Sequence, residues 1–98
     1  MQKTDIIKIN SILFNIEKRH KMYGIEKVED IFLILQGYSM ADENHNYDYF
    51  FKEFTMFVRN DFDFKYEFAN WSRIIRFFSA DNEDSLKIFF RLWKLYST

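Results

Sequence analysis

Apolar residues recur along this chain at helical spacing, in five stretches separated by short polar runs. In the first, Ile6, Ile9, Ile12, Leu13 and Ile16 share one face of a helix over about Asp5–Arg19, with Thr4 as its N-cap. Gly24 suits the turn that follows, because glycine tolerates positive φ. The second stretch, Val28–Ala41, is apolar almost all round: Val28, Ile31, Phe32, Leu33, Ile34, Leu35 and Tyr38. Such a helix is buried on several sides or covered by a partner. Gly37 inside it costs about 1 kcal/mol relative to alanine, which predicts close approach of another helix at that point.

The third stretch, Tyr47–Arg59, has Asn46 as N-cap and Asp48 in its first turn. Its apolar face is Tyr47, Phe50, Phe51, Phe54, Phe57 and Val58, and Asp48, Lys52, Thr55 and Arg59 fall opposite. Residues 60–69 then break the helical period. Phe62, Phe64, Tyr66 and Phe68 alternate with Asp61, Asp63, Lys65 and Glu67, the mark of an extended half-buried segment. It reads as a connection laying aromatics on the core; a sharper reading makes it an edge that a partner extends by strand addition. A fourth helix is expected over Trp71–Phe78 with Asn70 as N-cap and with Trp71, Ile74, Ile75, Phe77 and Phe78 facing inward. The fifth spans about Asn82–Tyr96, capped by Asp81, with Glu83 and Asp84 complementing the helix start and Lys87, Arg91 and Lys94 forming one polar stripe. The expected fold is all-α: one domain over residues 1–98, a bundle of about five helices with an extended aromatic-rich connection at residues 60–69.

Composition sharpens this picture. Aromatics make up 21% of the 98 residues, so a short chain can build a large core from them and still leave some exposed as an interaction surface. The net charge of −1 is unevenly spread: the acids concentrate in residues 41–85, and residues 86–98 carry only bases. A basic partner would be drawn to the middle segment. No cysteine is present, which excludes disulfides and thiolate zinc sites and favours the cytoplasm. Lys3, Asp5, Lys8 and Asn10 interrupt the first isoleucines, so no secretory leader is read there, and no stretch approaches the roughly 20 apolar residues of a membrane span.

Candidate chemistry is sparse. His20 and His45 lack metal-ligand spacing; His20 continues the apolar face of the first helix, and His45 lies in a polar loop beside Glu43. There is no nucleophile elbow and no glycine-rich phosphate loop. No enzymatic activity, metal or cofactor is therefore expected. Two basic clusters, Lys18/Arg19/Lys21/Lys27 and Lys87/Arg91/Lys94, raise nucleic-acid binding as a lesser alternative, against which the acidic middle segment works.

The series Ile16-Glu17-Lys18-Arg19-His20-Lys21-Met22-Tyr23-Gly24, then Gly37-Tyr38, then Trp71 with Ile74 and Ile75, Phe78-Ser79 and Phe89-Phe90 resembles small bacterial immunity proteins of polymorphic, contact-dependent toxin systems. The likeness covers about residues 12–95 and departs from the family pattern at His20, where proline is usual. It implies a protein that binds and neutralises a cognate toxin's C-terminal domain, nucleases being common among such toxins, by stoichiometric occlusion and without chemistry. On that implication the partner surface is Asp42, Glu43, Asp48, Asp61 and Asp63, with Tyr47, Tyr49 and Tyr66 as amphipathic anchors. Arg19, Met22, Tyr23, Gly37 and Trp71 are then structural. The alternative is a self-associating helical adaptor, for which a homodimer is expected.

Overall fold

The computed structural model describes residues 3–43, 47–66 and 69–97, with side chains from Ile7 onward. Five helices follow one another: α1 Lys3–Arg19, α2 Val28–Ala41, α3 Asp48–Phe62, α4 Trp71–Phe78 and α5 Asn82–Ser97. No strand forms among the described residues, and the all-α class expected from the spacing holds. Helices α1, α2, α3 and α4 all pack on α5, while α4 also packs on α2 and α3. No helix among the described residues is long and apolar enough to cross a membrane.

Local chemistry sets the helix ends. Asn70 caps α4: its Oδ1 accepts from the backbone N–H groups of Ser72 at 2.9 Å and Arg73 at 3.1 Å. Asp81 caps α5, accepting from the Asp84 N–H at 2.8 Å, and Asp84 in turn accepts from the Ala80 N–H at 2.7 Å. Each pair satisfies N–H groups that a helix start leaves unpaired. Gly24, at φ +70, closes the turn after α1, where the Ile25 N–H donates to the His20 carbonyl at 2.8 Å.

Boundaries differ from the expectation at the start of α1 and at both ends of α3, which begins at Asp48 with Tyr47, not Asn46, in the N-cap position. α1 begins at Lys3, so Thr4 lies within the helix and does not cap it. α3 runs through Phe62, and the extended connection is correspondingly shorter than residues 60–69. The reason is that Phe54, Val58 and Phe62 keep the i, i+4 period, which outweighs the period-two alternation beginning at Phe62. Asp63 then takes the left-handed conformation at φ 52, and the Phe64 N–H donates to the Arg59 carbonyl at 2.9 Å, a helix-ending bond of the Schellman kind. The expected Asn46 cap, His45, Glu67 and Phe68 lie outside the described residues.

The core is aromatic at its centre. The Phe54 ring touches Phe50, Trp71, Phe89, Trp93 and Tyr96 at centroid distances of 5.3–5.9 Å, and Phe54, Trp71 and Phe89 are fully buried. Burial of each such side chain contributes about 1.5–3 kcal/mol. Polar clamps fix the periphery. The Trp93 indole N–H donates to Asn10 Oδ1 at 2.7 Å, joining α5 to α1. Buried Ser85 accepts from the Val28 N–H at 3.1 Å and donates to the Asn82 carbonyl at 2.6 Å, joining α5 to the start of α2. Arg76 of α4 meets Glu29 of α2 through two bonds of 2.9 Å and also donates to Asn82 at 2.8 Å. This guanidinium holds the Glu29 carboxyl below the usual carboxylate range.

Gly37 departs from its expected role. A Cβ placed on it would meet no atom within 4 Å, so no helix approaches closely there. Its neighbours on α2 are also open, with Leu33 63% and Met40 86% exposed. The all-round apolar character of α2 therefore leaves apolar surface unburied; only Val28, Ile31 and Leu35 are fully enclosed.

Candidate functional site

A contiguous aromatic surface forms where the ends of α3 and α4 meet. α3 supplies Phe62 in its last turn. The left-handed step at Asp63 turns the chain, and Phe64 and Tyr66 follow on the connection. α4 ends on Phe77 and Phe78, because Ser79 leaves the helical conformation. The rings then join. Phe62 stacks on Phe78 at 4.4 Å, Phe77 meets Phe78 at 5.0 Å, and Phe64 contacts Tyr66 at 5.3 Å and Phe77 at 5.6 Å.

Exposure divides the cluster into floor and anchors. Phe62 and Phe64 are half-buried, whereas Phe78 is 41%, Phe77 69% and Tyr66 72% exposed. Taking about 150–250 Å² per aromatic side chain, the three anchors present roughly 300–450 Å² to solvent. Asp61, Asp63 and Lys65 border it in the chain and are exposed. Asp61 lies 4.0 Å from the Arg91 guanidinium of α5. The surface thus has an apolar centre of exposed rings and a charged rim.

Three of the expected partner-surface residues, Asp61, Asp63 and Tyr66, belong to this region. The other five do not. Asp42, Glu43, Tyr47, Asp48 and Tyr49 sit at the α2–α3 corner, about 20 Å away along α3 at 1.5 Å per residue. Tyr47 is a correction: it is 1% exposed, its ring is part of the core, and its hydroxyl donates to Asp42 Oδ2 at 3.3 Å, so it cannot anchor a partner. Burying the ring at the α3 start is cheap because the hydroxyl keeps a partner. Tyr49 is 47% exposed, and its hydrogen bond to the Glu53 carboxylate holds its hydroxyl above the usual phenol range.

Phe77 was expected to face inward and does not; Phe78 is also partly outside. The signal was in the spacing. Trp71, Ile74, Ile75 and Phe78 follow i, i+3, i+4, i+7, whereas Phe77 falls roughly 110° from the centre of that face. Among the residues expected to be structural, Trp71 is fully buried, but Met22 is 75% and Tyr23 48% exposed.

Charge is more paired than the sequence suggested. Every base of the α5 stripe meets a carboxylate: Lys94 with Glu17 at 2.9 Å, Lys87 with Glu83 at 3.9 Å and Arg91 with Asp61 at 4.0 Å. That matching weakens a phosphate-binding reading of the stripe. Among the described residues, no group of three or more His, Cys, Asp or Glu side chains is placed to hold a metal ion. The chain matches no protein-family model, no curated protein and no solved structure.

Proposed function

We propose that this protein acts by binding another protein, as an immunity protein that neutralises a cognate bacterial toxin domain by stoichiometric occlusion. The aromatic surface formed by Phe62, Phe64, Tyr66, Phe77 and Phe78 is the observation that carries the reading. Exposed rings of this kind bury large area at little entropic cost and dominate binding energy at the centre of interfaces. The surface supplies less than the roughly 800 Å² that a stable interface takes from each partner. It therefore forms the centre of the contact, with the acidic rim at Asp61 and Asp63 meeting a basic toxin surface.

The test is calorimetric titration of the purified protein with the C-terminal domain encoded by the adjacent upstream gene. A tight one-to-one complex is expected, weakened at least a hundredfold by Phe77→Ser combined with Tyr66→Ser. Both rings are mostly solvated, so the double variant should fold normally by circular dichroism. Full affinity in that variant would remove the aromatic surface from the reading. No complex with the wild-type protein, together with a concentration-dependent dimer in sedimentation, would favour self-association through the same rings.

A further inference from the structure

A second surface shares no helix with the aromatic one. It is a cleft of about 640 Å³ between α1 and α2, within the roughly 300–1,000 Å³ range of small-molecule sites. Ile12 and Ile16 of α1 and Ile34 of α2 line it, with Lys8 one turn before Ile12 on α1, and Tyr23 and Tyr38 also contribute to the lining. From Lys8 to Ile16 the cleft is about 12 Å long, roughly two helical turns.

Gly37 gives this cleft its open wall. Glycine weakens a helix interior, and here neither a positive φ nor a packed neighbour calls for it. What the missing side chain does is leave the cleft unfilled. Lys8 decides the charge of the occupant. Among the described residues it is the only charged one lining the cleft, no carboxylate joins it there, and it makes no ion pair. Length decides the shape: two turns are too short for a helix docked through a standard interface, but suit one extended alkyl chain.

We propose that the α1–α2 cleft binds a single-chain amphiphile with an anionic head group, its chain along Ile12, Ile16 and Ile34 and its head at Lys8. The chain gains by leaving water, and the head gains from an ammonium that has no ion-pair partner among the described residues. This site is independent of toxin binding and would stand if that reading failed.

The experiment is calorimetric titration of the full chain with octanoate, decanoate and dodecanoate below their micelle concentrations, and with dodecyltrimethylammonium as the oppositely charged probe. Saturable one-to-one binding of the carboxylates is expected, tightening about fourfold per methylene until the cleft is full. The cationic probe should bind at least tenfold more weakly than dodecanoate. Gly37→Leu should abolish binding by filling the cleft, without lowering the melting temperature, and Lys8→Glu should weaken dodecanoate at least tenfold. Phe77→Ser should leave it unchanged, separating the cleft from the aromatic surface. Undiminished dodecanoate binding by Gly37→Leu, equal binding of the cationic probe, or no saturable binding would overturn the proposal. So would capture of a synthetic acidic amphipathic peptide in place of dodecanoate, which would make the cleft a groove for a partner's helix.

Discussion

Replacing Gly37 with alanine should make the protein more stable. Gly37 lies in the interior of α2 with no positive φ, and an added Cβ has open space around it. The methyl group therefore creates no clash, and because the position is exposed it fills no core void. What remains is the backbone: alanine restricts the unfolded chain and favours the helix, by about 0.5–1 kcal/mol. For a chain of this size that corresponds to a rise in melting temperature of about 2–8 °C. Thermal unfolding followed by far-UV circular dichroism would show it. A urea titration should give a higher midpoint with an unchanged slope, the sign that stability has changed and not the extent of unfolding. A lower melting temperature would refute the reasoning, since it would mean that a neighbour does press on α2 at this point.

Two further outcomes follow from the clamps. Asn70→Ala should cost about 1 kcal/mol, because the first-turn N–H groups of Ser72 and Arg73 lose their acceptor; urea unfolding measures it, and Asn70→Asp should restore most of the loss. Glu29→Gln should lower stability at pH 7 by about 1 kcal/mol or less, both members of the Arg76 pair being about one-third exposed. The folded carboxyl of Glu29 titrates below its unfolded value. Its contribution is therefore present above the unfolded pKa of about 4.3 and is lost as pH falls through the folded value. Stability curves of wild type and Glu29→Gln should converge on acidification between pH 5 and 3, and parallel curves would remove the ion pair from the account.

Much of the helical framework was legible because its signals are local. Val28–Ala41 and Trp71–Phe78 match the boundaries read from apolar spacing, and Asn70 and Asp81 cap as their chemistry suggests. What the sequence hid depends on three-dimensional neighbours. Alternation from Phe62 onward looked extended, yet contacts inherited from Phe54 and Val58 keep Phe62 in the helix. Gly37 looked like a point of close packing, but local sequence cannot say whether a second helix arrives. Tyr47 and Phe77 exchanged roles for the same reason. A tyrosine that finds an acceptor can be buried, while a phenylalanine off the helix's inner face stays in water. The acidic residues of the middle segment likewise turned out to be partly occupied, Asp81 and Asp84 at a helix start and Asp61 near Arg91.

The position of α5 in the chain order bears on how the protein is made. The four helices synthesised before it all rest on it, and its bonds to α1 join residues as far apart as Asn10 and Trp93. Closing so long a loop adds little to the equilibrium cost but slows folding. On the ribosome, Phe50, Phe54 and Trp71 must therefore wait without Phe89 and Trp93 to cover them, and a nascent chain arrested before Phe89 would be a sticky, protease-sensitive intermediate.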